Sequence, residues 1–333
     1  MFEHKSFLHF VEHCNATKQD IVALTIVETK GSTYRKPGTT MLVSSNHESV
    51  GVLSGGCIEE AMMHCCDEVL KQHYGKLVTH DLRLPDDSKE SWEVGVGCNG
   101  LIQVWLEPFY VDEVYGALGE AVIYAKEGIA QTLIRSTQKE KSGEYRFIDS
   151  DVDFSFHYDE KHYCVSQAIK PLYKIFILGV GSAAQALVDI ANILGWEVTL
   201  GDTRKESLAE IKNADHKHWF ESSLDIQKVL VGQHFDAAVI MSHEFKNDSV
   251  YVKELIKSNI SYVGLLGSKK RTQKIIEIVQ SNNVYLDERF HAPVGLDIGA
   301  QTPQSIALSI CAEIEAKRNN KVGLSLGEQH ANV

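Results

Sequence analysis

No stretch of the 333-residue sequence approaches the ~18 uninterrupted apolar residues that a bilayer span requires. The start, Met1-Phe2-Glu3-His4-Lys5, lacks the basic segment and apolar core of a secretory leader, so the expectation is a cytoplasmic chain with no membrane partner. Cys-x-x-Cys spacing is also missing. The seven cysteines, Cys14, Cys57, Cys65, Cys66, Cys98, Cys164 and Cys311, form an odd set that argues against a disulfide framework and against a standard zinc or iron–sulfur site. Positive charge is in short supply. With 33 Lys+Arg against 45 Asp+Glu, the formal charge of −12 leaves no cationic field for nonspecific binding to nucleic acid or anionic membrane. An anionic ligand therefore needs a local positive pocket. There is no internal repeat and no low-complexity tract.

What is present is enough chain for two domains. Helical spacing of Phe7, Phe10, Val11 and Cys14 predicts an opening helix, followed by strands at 21–28, 40–44 and 49–53, a helix at 58–74, and strands at 77–82 and 101–106. These make residues 1–110 a mixed α+β unit. Residues 111–171, with a predicted helix at 111–126 and short strands in a charged setting, read as a connecting region. From 172 to 318 strands and helices alternate regularly, which means parallel strands with crossover helices, and a polar tail occupies 319–333. The expected class is α/β, with a C-terminal Rossmann-like parallel sheet and a smaller N-terminal α+β domain.

Tyr173 to Leu178 followed by Gly179-Val180-Gly181-Ser182-Ala183-Ala184 is a strand entering a glycine turn that opens a helix. Gly179 permits the turn, Gly181 lets the backbone approach a pyrophosphate, and Ala184 allows close packing, while the helix start offers N–H groups to the anion. Asp202, at the end of the next strand, stands where an acidic residue hydrogen-bonds a ribose, or serves as a helix cap before Arg204. Arg204 also suits a 2′-phosphate, so NAD and NADP both stay open. Three further segments follow strands: Ser242-His243-Glu244, Gly264 to Arg271, and Pro293 to Pro303. The cations Lys269, Lys270 and Arg271 after Ser268 oppose the helix dipole, a cost that a bound anion offsets. His243 is an acid/base candidate, and Thr302-Pro303 reads as a helix cap with a proline at its first position.

The N-terminal half carries a basic, hydroxyl-rich loop, Gly31-Ser32-Thr33-Tyr34-Arg35-Lys36-Pro37-Gly38, able to hold an anion. Ser54-Gly55-Gly56-Cys57-Ile58-Glu59 then leads into a helix. A cysteine at a helix start has its thiolate stabilised, which makes Cys57 the reactive-thiol candidate, with Glu59 beside it as acid/base or as a carboxylate that simply suits the dipole. Gly95-Val96-Gly97-Cys98-Asn99-Gly100 is a second glycine-flanked cysteine.

Taken in order, these segments, together with Ala312-Glu313-Ile314, resemble the XdhC/CoxI family of xanthine dehydrogenase accessory proteins, including bacillus-type members of purine catabolism. The resemblance covers both halves. Two positions depart from it: many relatives have histidine where Ser182 stands, and Cys-Gly-Gly where this chain has Cys98-Asn99-Gly100. The resemblance implies a dimeric maturation factor, rather than a catalyst, that binds molybdenum cofactor, supports its sulfuration alongside a cysteine desulfurase, and delivers it to the molybdenum subunit of apo xanthine dehydrogenase. The cofactor-binding set it implies is Arg35, Gly55, Gly56, Cys57 and Cys98 in the first half. In the second half it is Gly179, Gly181, Ser182, Ala184, Asp202, Gly267, Ser268, Lys269, Arg271 and Asp297. Cys57, Glu59 and His243 are the candidates for chemistry, with Cys57 as a molybdenum contact, since molybdenum is thiophilic. Two alternatives remain: an NAD(P)-dependent oxidoreductase associated with xanthine oxidation, and a sensor binding NAD(H) or a nucleotide. A complete molybdenum hydroxylase is excluded by length and by the lack of iron–sulfur cysteine groupings.

Overall fold

In the computed structural model, residues 4–54, 58–81, 99–138, 144–150, 152–159 and 162–325 are described. The chain divides into two compact units, Met1–Leu172 and Tyr173–Val333.

The first unit is built on a sheet in the order β3-β2-β1-β5-β4. Its strands are β1 (Ile21–Ser32), β2 (Thr40–Ser44), β3 (Ser49–Val50), β4 (Lys76–Asp81) and β5 (Asn99–Phe109). Side chains alternate across a strand, and both faces of β1 are covered, so β1 reads as an unbroken apolar run. Ile21 and Ala23 pack with Leu8, Val11 and Cys14 of α1 (Lys5–Ala16) and with Leu118 and Ala121 of α3 (Gly116–Glu127). Val22, Leu24 and Ile26 pack with Met62, Cys66 and Val69 of α2 (Glu59–Gln72).

Residues 111–171 do more than connect. They hold α3 and a second antiparallel sheet, ordered β7-β6-β9-β8, from β6 (Gln131–Gln138), β7 (Glu144–Ile148), β8 (Phe154–Tyr158) and β9 (His162–Ile169). Leu133 and Ile169 of this sheet share the α1/α3 core. The helix expected at 111–126 is interrupted: Val114 (φ 51°) and Tyr115 (φ 60°) are both left-handed, and the helix starts only at Gly116. Two features fit this break. Tyr115 donates its hydroxyl to the Gln19 carbonyl at 2.7 Å, and a Cβ on Gly119 would lie 2.1 Å from the Val114 carbonyl oxygen.

The second unit has a parallel sheet in the order β12-β11-β10-β13-β14-β15. Its strands are β10 (Lys174–Leu178), β11 (Glu197–Asp202), β12 (His216–Trp219), β13 (Ala237–Ile240), β14 (Tyr262–Leu265) and β15 (Phe290–His291). Numbered from the first strand of this unit, that order is 3-2-1-4-5-6, the doubly wound Rossmann arrangement. Crossovers run through α4 (Ser182–Ile193), α5 (Lys205–Glu210), α6 (Ile226–Gly232), α7 (Phe245–Ile256) and α8 (Lys269–Ser281), and α9 (Pro303–Arg318) closes the unit. One face packs under α4 and α9, the other under α7 and α8. Strand β12, helix α6 and strand β15 were not expected from the sequence. The first is a solvent-exposed His-Lys-His-Trp edge, and the last is two residues long.

Candidate functional site

The strand order reverses between β10 and β13, and the glycine turn leaves β10 at that point. Gly179 (φ 139°) admits no side chain, because a Cβ there would lie 2.4 Å from the Met241 carbonyl oxygen. Gly181 (φ 118°) caps α4, and a Cβ there would meet nothing within 4 Å. The two glycines thus do different work: the first permits backbone packing against β13, and the second leaves open space before the N–H groups of a helix start. Ser182 opens the helix and is exposed, while Ala184 is buried beneath it.

Asp202 is buried and already occupied. Its carboxylate accepts from the Arg204 backbone N–H at 2.7 Å, from Nε at 2.9 Å and from Nη2 at 2.9 Å. Arg204 Nη2 also donates to the Ser242 carbonyl at 3.2 Å. The expected helix cap does not form, since Arg204 is the N-cap of α5 and Asp202 braces the turn before it. The group presented at this strand end is instead a guanidinium, which lines a cavity of about 320 Å³ with Gly181, Ser182 and Gln185.

A second arginine–carboxylate centre lies across the ends of β13 and β14. Asp248 is 0% exposed; it accepts from Ser242 Oγ at 2.5 Å and from Arg271 Nη2 at 2.6 Å. The Arg271 guanidinium lies over the Phe245 ring, 5.6 Å from its centroid, and its Nε is buried with no hydrogen-bond partner among the described residues. Ser268 caps α8 by accepting from the Arg271 N–H at 3.3 Å, a Cβ on Gly267 would lie 3.2 Å from Arg271 Cδ, and Lys269 is exposed. Sequence reasoning missed Asp248. The available signal was a carboxylate in register with Tyr251, Val252 and Leu255 on the apolar stripe of α7, a position that demands a buried partner.

Other predicted residues are placed less centrally. His243 (φ 63°) is exposed, and its side chain makes no hydrogen bond to a described residue. Asp297 is exposed on the loop before α9. Near that loop stands a cluster that the sequence did not suggest. Glu313 accepts from the Tyr262 hydroxyl and from the Gly295 N–H at 2.8 Å, with His291 Nδ1 at 3.8 Å from its other oxygen. Burial, reinforced by Glu313, pushes the Tyr262 hydroxyl far above its ordinary range.

In the first unit, Gly55, Gly56, Cys57 and Cys98 lie outside the described residues, but the clasp around the 55–57 segment is defined. Glu59 accepts from the N–H groups of Leu53 (3.2 Å), Ser54 (2.8 Å) and Ile58 (3.2 Å), and from Ser54 Oγ (2.6 Å). Burial resists its charge, but these hydrogen bonds prevail and hold its carboxyl below the usual range. Glu59 is therefore an ionised clamp bridging both ends of that segment. Arg35 is exposed over the Tyr34 ring, at 5.2 Å. Burial pushes the Cys14 thiol up to about 11 and those of Cys66 and Cys311 up to about 12, so these three are unreactive packing residues. Among the described residues, no group of three His, Cys, Asp or Glu is arranged to hold a metal ion, and no helix is long and apolar enough to cross a membrane.

Two family models match the chain: the XdhC Rossmann domain over residues 175–314, and the XdhC and CoxI family over residues 14–81. Over 322 residues it is 29% identical to a Bacillus subtilis protein named as a probable xanthine dehydrogenase component, with 89% of this chain and 93% of that one covered. It is 22% identical over 327 residues to the Escherichia coli molybdenum cofactor insertion chaperone PaoD, with 95% and 89% covered. A solved structure described as a xanthine dehydrogenase from Bacillus halodurans superposes with a TM-score of 0.77 at 28% identity, covering 96% of this chain and 98% of that one.

Proposed function

The chain belongs to the XdhC and CoxI family, and on that premise we propose that it binds molybdenum cofactor, supports its sulfuration and hands it to the molybdenum subunit of apo xanthine dehydrogenase. The observation that carries this reading is the open approach to Gly181 at the start of α4, flanked by the Arg204 guanidinium. Those groups fit the phosphate of a molybdopterin: backbone N–H donors and a fixed cation in an otherwise acidic protein. Arg271, a quarter exposed and paired with the sealed Asp248, is a further cation at the strand ends. When bound, the cofactor would supply the metal centre, its phosphate held by the Gly181 turn and the Arg204 guanidinium; the Cys57 thiol is the candidate for the sulfuration chemistry. Sulfur comes from a cysteine desulfurase partner, and the working form is a homodimer.

A second reading places NAD(P) in the same crevice, favoured by the 3-2-1-4-5-6 strand order and the glycine turn. The engagement of Asp202 by Arg204 weighs against an NAD ribose there.

The test is to purify the chain from cells that make the cofactor and identify the bound molecule by oxidative pterin fluorescence and mass spectrometry. Stoichiometric pterin is expected, with Gly181→Val losing it and Cys57→Ala retaining it but failing to activate apo-enzyme. NAD(P) without pterin overturns the proposal.

A further inference from the structure

The first unit contains a cavity of about 250 Å³ that none of the predicted site residues touches. Trp105, Tyr110, Tyr115 and Tyr145 give it aromatic walls, and Arg135 and Glu107 form its polar wall. Arg135 is 4% exposed; its Nη1 donates to Glu107 at 2.6 Å and its Nη2 to Gln167 Oε1 at 3.1 Å. Gln167 is itself fixed, donating to the Gly38 carbonyl and to Thr40 Oγ1, so the guanidinium is held before any ligand arrives. Its Nε is buried without a partner among the described residues.

Charge and size narrow the occupant. Glu107, Glu113 and Glu144 set three carboxylates around one guanidinium, a field that repels anions. The volume lies below the ~300–1,000 Å³ of sites for drug-sized ligands, so a dinucleotide does not fit. Aromatic walls favour a flat ring. The wall is also strained, since Tyr115 and its neighbour Val114 are left-handed non-glycine residues, a condition that concentrates at functional sites.

We infer that this cavity binds an uncharged planar lactam heterocycle of one or two fused rings, whose ring N–H donates to Glu107 and whose carbonyl accepts from Arg135. Two sources share that chemistry: a free purine-type base and the ring of a pterin. The inference is independent of the glycine turn, because it involves no phosphate and lies wholly within the first unit.

The experiment is calorimetric titration of the full chain with hypoxanthine and, separately, with unsubstituted pterin. One-to-one binding of at least one probe is expected. The exposed Ser136 also lines the cavity, and Ser136→Trp, which removes no buried contact, should weaken binding at least ten-fold with an unchanged unfolding midpoint. Glu107→Gln should weaken it in the same direction. Tighter binding of pterin assigns the cavity to a cofactor ring, and tighter binding of hypoxanthine assigns it to a free base. No binding of either probe, or equal binding by Ser136→Trp, overturns the inference.

Discussion

Each unit contains one arginine–carboxylate pair at 2.6 Å in which the arginine Nε has no partner among the described residues, yet the two pairs face their surroundings oppositely. In the Rossmann unit the acid is sealed, with Asp248 at 0% exposure and Arg271 at 25%, so the pair presents a cation. In the first unit the base is sealed, with Arg135 at 4% and Glu107 at 18%, so the pair presents an anion. Company reinforces each orientation. Lys269 and Lys270 stand in the same helical turn as Arg271, while Glu113 and Glu144 line the cavity with Glu107. The same pairing thus suits a phosphate in one unit and an uncharged ring in the other. Which partner is buried decides the charge that a ligand meets.

That asymmetry yields the largest expected effects. Stranding the sealed member leaves a buried charge without its counter-ion, at about 3–5 kcal/mol. Arg271→Met should therefore destabilise the Rossmann unit by that amount, and Glu107→Met should do the same to the first unit. Removing the sealed member instead leaves a partner that reaches water, so Asp248→Asn and Arg135→Met should cost less, about 1–3 kcal/mol. Denaturant titration of the four variants checks this. If the sealed-member substitutions prove the costlier within each pair, the comparison breaks.

The two glycines of the α4 turn sharpen the same contrast between scaffold and ligand approach. Both sit in backbone space that costs other residues about 1–3 kcal/mol. Gly179→Ala should cost about 1–3 kcal/mol more than Gly181→Ala, because only the former drives a methyl group into the Met241 carbonyl. Gly181→Ala should instead show its larger loss in retention of a phosphate-bearing ligand, read by the pterin content of the purified protein.

How legible the units were in sequence follows from the same physics. Strands β10, β13 and β14 are buried on both faces, so each reads as an apolar run between turn residues, and their helices carry clean caps such as Ser268 and Thr302. The helix at 269–281 matches its expected bounds at both ends. The second sheet of the first unit gives a weaker signal: strands were expected at 129–135, 145–148 and 163–165, where β6, β7 and β9 stand, but β8 was missed, and Arg135 of β6, a buried charge, reads as surface. The candidate site divides the same way. The glycine turn is a local motif and was visible, whereas Asp248–Arg271 and Glu107–Arg135 join residues 23 and 28 apart, pairings set by tertiary contact alone. Asp202 illustrates the limit: its position was correct, but nothing in sequence order showed that Arg204 would occupy its carboxylate.

A smaller effect is expected at the clamp in the first unit. Glu59→Gln keeps one acceptor oxygen but loses the charge, for a cost of about 1–2 kcal/mol at neutral pH. Because the folded carboxyl titrates below the ordinary 4.5, its contribution is complete above that value and fades as pH falls through the lowered one. The variant should therefore converge on the parent protein in acid.

The smallest expected effect concerns His291, where the Rossmann unit responds to acid through a base rather than a carboxylate. The imidazole stacks on Tyr262 at 4.5 Å and 13°, and burial lowers its affinity for a proton below the ordinary 6.5, with Glu313 opposing and Lys317 adding to the shift. The unfolded chain then binds the proton more readily than the folded one, so stability is complete above pH 6.5 and declines as pH falls through the lowered value. His291→Gln should remove that slope at and below about pH 6.5 while leaving the Glu59 transition in place. An unaltered slope in His291→Gln would mean that Glu313 holds the imidazolium well enough to cancel its burial, and the Tyr262–Glu313–His291 cluster would then be a charged brace for the loop at Gly295 rather than a neutral one.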